Sequence, residues 1–481
     1  MVIGVDTLPP DDQPRPEPDG EDPFEPVDLG VASPGAARRG LRLIITLLLV
    51  AAIVSVFGLN LNGNRAPNPS VPPVGATFQA PGADSRLAVV ESDGALTSMR
   101  ADGSSVARYL VPGVTFRFPA WSPNGATIAA IGRSDAGPAV YRLGAQNNGS
   151  APAMSTIVYQ SPDHPPFYVY WAPDSEALAF LTTEPDGIAL RYAAADASDP
   201  ATTVRRGAPM YWQWLDPKRL FVHSGGDSAD AFAGQVGIDG APDAATTVEA
   251  GVFRVPAMSA DRTFVAYATS VREGSASVVV RSVDGTTHHE VPVFSMAAFT
   301  FDPAGDSLAF IAATKPGSAF DIPVGPLRAI DPTSGVVRTL LDGSVVSFFW
   351  APDGRTIAAL RVGAPDDTKV TSADVPQAAL ARAGAPAIQA VAGVELRIDF
   401  VDVASGAIHS ERIGRLSDLF INQVLPFFDQ YALSHRFWSP DSASIVLPIV
   451  DDQGASQIEV IPADASDARL LAAGLIATWS P

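Results

Sequence analysis

Histidine is the side chain best suited to move a proton or hold a metal near neutral pH, and this chain has six: His164, His223, His288, His289, His409 and His435. None stands in an H-E-x-x-H or H-x-x-x-H arrangement, the spacing that sets two imidazoles on one helical face around zinc. His288 and His289 are adjacent, so on a strand they point to opposite faces. The chain has no cysteine, and with it go thiolate ligands, cysteine nucleophiles and disulfides. G-x-S-x-G elbows and P-loops are absent as well, and with them the local signatures of serine hydrolysis and phosphoryl transfer. Asp174, Asp302, Asp353 and Asp441 recur at equivalent places and suggest a ring of carboxylates for a cation, but an Asp in a turn of this type bonds its own backbone instead. An N-x-S triplet at Asn148 is explained by chance. These residue types assign no catalytic group, no metal ligand and no cofactor.

The aromatic residues say more. "PPFYVYW" carries Tyr168 and Tyr170, and "PMYWQW" carries Tyr211 and Trp212, each ahead of a short apolar run. Such rings are either core or the lining of a small-molecule or peptide pocket, where they give area and a polar handle. A third group lies in residues 416–434, "LSDLFINQVLPFFDQYALS". It opens with a Ser/Asp helix-start signal and spaces Leu419, Val424, Phe427, Phe428 and Tyr431 at mostly helical intervals, with Pro426 set to break or kink it.

The elements that must position these groups repeat. "WSPNGATIAAIG" at Trp121 returns as "WAPDSEALAF" at Trp171, "MSADRTFVAY" at Met258, "FDPAGDSLAF" at Phe301, "WAPDGRTIAAL" at Trp350 and "WSPDSASIVL" at Trp438. A shorter copy starts at Trp214, and a last "WSP" at Trp479 ends the chain. In each full copy the apolar run is centred seven residues after the leading residue, at Ile128, Leu178, Val265, Leu308, Ile357 and Ile445. The leading aromatic ends one strand, the Pro and Asp, Asn or Gly make the reversal, and the apolar run is a strand buried on both faces. Two further β-rich runs follow each copy, so every repeat reads as one four-stranded propeller blade.

These motifs resemble the WSPDG-type repeat of TolB-like, WD-repeat-like propellers, a resemblance that covers residues 83–481 and departs from the pattern at Trp214 and Met258. It implies an all-β propeller of an extracytoplasmic kind. Eight leading positions predict eight blades, with seven as the alternative. The three strands of residues 86–111 lack a leading Trp, so the strand ending at Trp479 should complete their blade and close the ring, leaving no open sheet edge. Strand direction then puts two excursions on one face of the disc: residues 363–393, between the second and third strands of the seventh blade, and residues 416–434. Together they are expected to form a lid or partner-binding ridge, with Phe427, Phe428, Asp429, Tyr431, His435 and Arg436 as contacts and Tyr168, Tyr170, Tyr211 and Trp212 as a further candidate lining.

The rest of the chain sets the context. Residues 1–37 are dense in Pro, Asp and Glu and read as a disordered acidic tail. Residues 38–61 hold an apolar run from Leu43 to Leu59 after Arg38, Arg39 and Arg42, which predicts an uncleaved transmembrane signal anchor with the tail in the cytoplasm. Residues 62–82, rich in Pro, Gly and Asn, are a spacer. The net charge of -20 opposes binding to nucleic acid. The sequence therefore predicts a membrane-tethered, non-catalytic propeller at the cell membrane, extracytoplasmic, that binds a protein, peptide or glycan. Its alternative is a propeller enzyme, a lyase or hydrolase acting in the central channel.

Overall fold

The computed structural model describes residues 85–481 apart from 146–148, 153, 226–229, 252–255, 271–274, 295, 314–322, 363–394 and 465. The acidic tail, the signal anchor, the spacer, Asn148 and the excursion 363–393 all lie outside the described residues. Among those described, no helix is long and apolar enough to cross a membrane.

Apart from Gly149–Pro152, which pairs parallel with Ala107–Leu110 at the outer edge of the first unit, the described strands pair antiparallel into eight consecutive units. In the first, Ile476–Trp479 lies beside Arg86–Val90, followed outward by Leu96–Arg100 and Ala107–Leu110, so the first and last described strands share one blade. The second runs from Thr115–Trp121 to Ser155–Gln160 and the third from Pro166–Trp171 to Thr202–Arg206. The fourth, from Met210–Asp216, has three strands, and residues 241–248 cover its outer edge through single bridges and a 3-10 turn. The fifth starts at Ala257–Met258 and the sixth at Ala297–Phe301. One 14-residue strand, Val337–Trp350, is both the outer strand of the sixth unit and the inner strand of the seventh. The eighth begins at Trp438, bridged to Ile445, and ends at Arg469–Ala473. Short inner strands that follow one another around a centre, with the last closing on the first, are the arrangement of a β-propeller.

The repeat motif has a packing reason. Trp171 donates its indole N–H to the Ala120 carbonyl at 2.9 Å, Trp438 to Phe349 at 2.9 Å and Trp350 to Thr300 at 3.3 Å. Each acceptor is the residue just before the leading residue of the preceding blade, so one side chain both fills the gap between sheets and fixes their register. Where the fifth blade has Met258 in place of Trp, the fourth supplies the link: Gln213 Nε2 donates to the Met258 carbonyl at 3.1 Å, and the Met258 N–H donates to Gln213 Oε1 at 2.9 Å.

The turns are equally regular. The fourth residue after each leading position has positive φ: Gly125, Ser175, Arg262, Gly305, Gly354 and Ser442, between 62° and 88°. Glycine adopts this backbone freely and other residues at a cost. The turn acids bond backbone, as Asx chemistry requires: Glu176 N donates to Asp174, Ser307 N to Asp302, Arg355 N to Asp353 and Ala443 N to Asp441, at 2.9 to 3.1 Å.

Candidate functional site

Residues 417–436 do not stand as a ridge on the disc; they fill its centre. Ser417 starts the segment, its Oγ accepting from the Phe420 N–H at 3.2 Å. A π-helical turn over Phe420–Val424 and a 3-10 turn over Leu425–Phe427 follow, and only after Pro426 does the regular helix Phe428–Ser434 form. That helix touches the inner strands of the third, fourth, sixth and seventh blades. Tyr431 and His435 also reach Phe118 on the inner strand of the second. A seven-residue helix meets five inner strands at once only on the axis of the ring, so the segment is a plug in the channel.

The plug is seated by rings and by one amide. Phe428, fully buried, sits edge-on to Phe348 and Phe349 at centroid distances of 5.3 and 6.0 Å. Phe427 packs on Tyr211 at 6.2 Å, and Tyr431 lies against Phe118 at 5.6 Å and Tyr168 at 5.2 Å. Gln430 pairs with the backbone of Trp212 as a neighbouring strand would: Trp212 N donates to Gln430 Oε1, and Gln430 Nε2 donates to the Trp212 carbonyl, both at 2.9 Å.

A directed hydrogen-bond chain finishes the seat. The Phe118 carbonyl can only accept, so His435 Nε2 carries the proton of that 3.3 Å bond and Nδ1 is the acceptor. Ser434 Oγ then donates to Nδ1 at 2.6 Å and itself accepts from the Tyr168 hydroxyl at 2.5 Å. Tyr168 accepts in turn from Gln430 Nε2 at 3.2 Å. Burial holds the His435 imidazole down at about 4, opposed only in part by the bond to Phe118, so it is neutral at physiological pH. The same burial raises the phenols of Tyr168, Tyr170 and Tyr431 and lowers Arg436.

The structure thus brings together two sets of residues that the sequence offered separately. Phe427, Phe428, Asp429, Tyr431, His435 and Arg436 come from the plug and its exit; Tyr168, Tyr170, Tyr211 and Trp212 come from the wall it packs against. The expectation that the plug residues project from the disc as contacts is corrected by their placement: Phe428 and Asp429 are 0% exposed, His435 1% and Tyr431 5%, because they are core of the ring. Tyr168, Tyr211 and Trp212 are buried with them, and only Phe427, Tyr170 and Arg436 keep partial exposure. Sequence reasoning passed over Gln430, Ser434, Phe118, Phe348 and Phe349. The local pattern pointed the other way: Asn422, Gln423, Asp429 and Gln430 recur seven residues apart and read as a solvent-facing stripe, yet Gln423, Asp429 and Gln430 are buried.

Outside the plug, charged clusters serve the blades. Glu184 is buried under Arg191 at 2.8 Å and His164 at 3.2 Å, and Asp399 under Arg361 at 2.7 Å. His288 meets Glu290 while His289 meets the Thr333 carbonyl, two different partners. Among the described residues no three His, Asp or Glu side chains are placed to share a metal ion.

Strand pairing, ring closure and a filled channel define a β-propeller with an internal plug. No family model and no curated protein sequence matches the chain. Among solved structures it is similar to a prolyl endopeptidase at 8% identity, over 76% of this chain and 50% of that one, with a TM-score of 0.49. An oligogalacturonate lyase from Vibrio parahaemolyticus is similar at 10% identity over 81% and 86%, with a TM-score of 0.41. TolB from Acinetobacter baumannii is similar at 13% identity over 77% and 69%, with a TM-score of 0.36. Identities and scores at this level carry no activity across, and the propeller assignment rests on the strand pairing above.

Proposed function

We propose that the chain is a membrane-tethered, extracytoplasmic propeller that binds a protein, peptide or glycan and performs no chemistry of its own. The observation that carries this reading is the plug: the channel, where a propeller lyase or hydrolase would gather its reacting groups, is occupied by packed side chains of the chain itself. Binding then falls to the faces of the disc and their loops. The face favoured is the one from which the plug descends. Val362, Leu396 and Gly414 are register neighbours, so the excursion 363–393 and the root of the plug leave the seventh blade from the same edge. The Arg38, Arg39 and Arg42 cluster supports the orientation, with the propeller outside.

The test is enrichment of partners from native membranes by the full chain, run beside a variant in which residues 363–393 are replaced by a short Gly/Ser turn. Loss of a partner from the variant supports the assigned face. Recovery of every partner by a folded variant overturns it.

A further inference from the structure

The chain of bonds from Gln430 through Tyr168 and Ser434 to His435 runs in one direction, and that direction depends on one proton. With His435 neutral, every member of the chain from Gln430 through Tyr168 and Ser434 to Nδ1 uses each of its protons once. A proton on Nδ1 turns that atom from acceptor to donor. Ser434 must then give its proton to the carbonyl of Gln430 or Tyr431, at 3.3 and 3.4 Å, or to Tyr168, whose own proton is then left with the Gln430 carbonyl at 3.2 Å; each route ends on a bond beyond the 2.5 to 3.0 Å of a good hydroxyl bond. The imidazolium would also be 1% exposed and without an ion-pair partner among the described residues.

The neighbouring elements offer no relief. From the second blade comes Arg117, next to the acceptor Phe118, itself buried and, among the described residues, bonded to the Phe116 carbonyl at 3.4 Å. From the third come Tyr168 and Tyr170, and from the fourth Tyr211. Ile476–Trp479 of the first blade brings no ionisable side chain. The plug itself carries Asp429, Tyr431 and Arg436. Tyr168 and Tyr431, whose rings lie 6.0 and 5.1 Å from that of His435, are raised by burial and hold their protons, so neither supplies a balancing negative charge.

We propose that residues 417–436 form an acid-sensitive plug, in which proton uptake at His435 reverses the hydrogen-bond chain and releases the segment from the channel. The released state exposes the ring-lined wall of Tyr168, Trp212, Phe348 and Phe349. The sign follows from linkage. The seated imidazole is held at about 4 against 6.5 when free, so the seated state keeps its full advantage above 6.5 and loses it as the pH falls from 6.5 toward 4. Across that window, opening becomes easier by on the order of a hundredfold.

Hydrogen–deuterium exchange of the full chain in detergent, corrected for intrinsic rates, reads this directly. Between pH 7.5 and 4.5, peptides covering 417–436 should lose protection by on the order of a hundredfold, while Thr356–Val362 of the seventh blade stays protected. In His435→Gln and His435→Asn the loss should vanish. Equal protection of the plug at both pH values in the wild type overturns the proposal, as does simultaneous opening of plug and blade, which is global acid unfolding. The wild-type measurement decides even if both variants fail to fold.

Discussion

Gln213 shows how one residue can stand in for another of different chemistry. The usual link between blades is an indole N–H given to a carbonyl; here a carboxamide both gives and accepts, engaging the backbone of the buried Met258 on both sides. Gln213→Ala should therefore lower unfolding free energy by about 1–3 kcal/mol, since Met258 is left with unpaired polar groups, and Gln213→Glu should recover only the accepting half. Trp171→Phe loses both the bond to Ala120 and part of the buried indole volume, so it should cost about 2–4 kcal/mol. Gly354 has φ of 69° and room for a methyl group, its nearest neighbour standing 3.4 Å from the added carbon. Gly354→Ala should thus report backbone cost alone, about 1–2 kcal/mol. Denaturant midpoints at constant slope check all four variants.

The plug is the element on which sequence and structure differ most instructively. Its helix start at Ser417 and its break at Pro426 were legible, because capping and the missing proline N–H act within a few residues. Its destination was not, because a segment can enter a channel only after seven or eight distant blades have made one. Tyr168 and Gln430 are neighbours across 262 residues of chain, and nothing local announces it. Phe428→Ala should cost about 3–5 kcal/mol, the scale for deleting a buried ring that its surroundings do not refill. Phe428→Leu should cost less. Calorimetry of the two variants separates a core position from a contact residue, for which Ala would change partner recovery and leave the melting temperature near that of the wild type.

For the whole molecule, the repeat spacing made the ring and its closure readable, since Trp479 had no strands after it and residues 86–111 had no leading Trp. The irregular copies at Trp214 and Met258 marked the three-stranded fourth blade and the two-residue inner strand of the fifth. What spacing could not show is that the last three blades are joined by backbone pairing, through the continuous strand Val337–Trp350 and through Arg415 and Leu416 bonded to Val450 and Ile449. Deleting residues 474–481 removes Trp479 and bares Leu87 and Val89, so it should cost about 3–5 kcal/mol for the tryptophan alone. An unchanged melting temperature would exclude the closing strand from the ring. The same closure decides how the ring carries mechanical load. Arg86–Val90 is bonded to Leu96–Arg100 at five paired positions and to Ile476–Trp479 at four, and Ser480 clasps Arg86 from both sides of its backbone. A pull on the chain ahead of Arg86 therefore acts along the strand and stretches these bonds together in shear, where the same pull on an outer strand would unzip them one at a time.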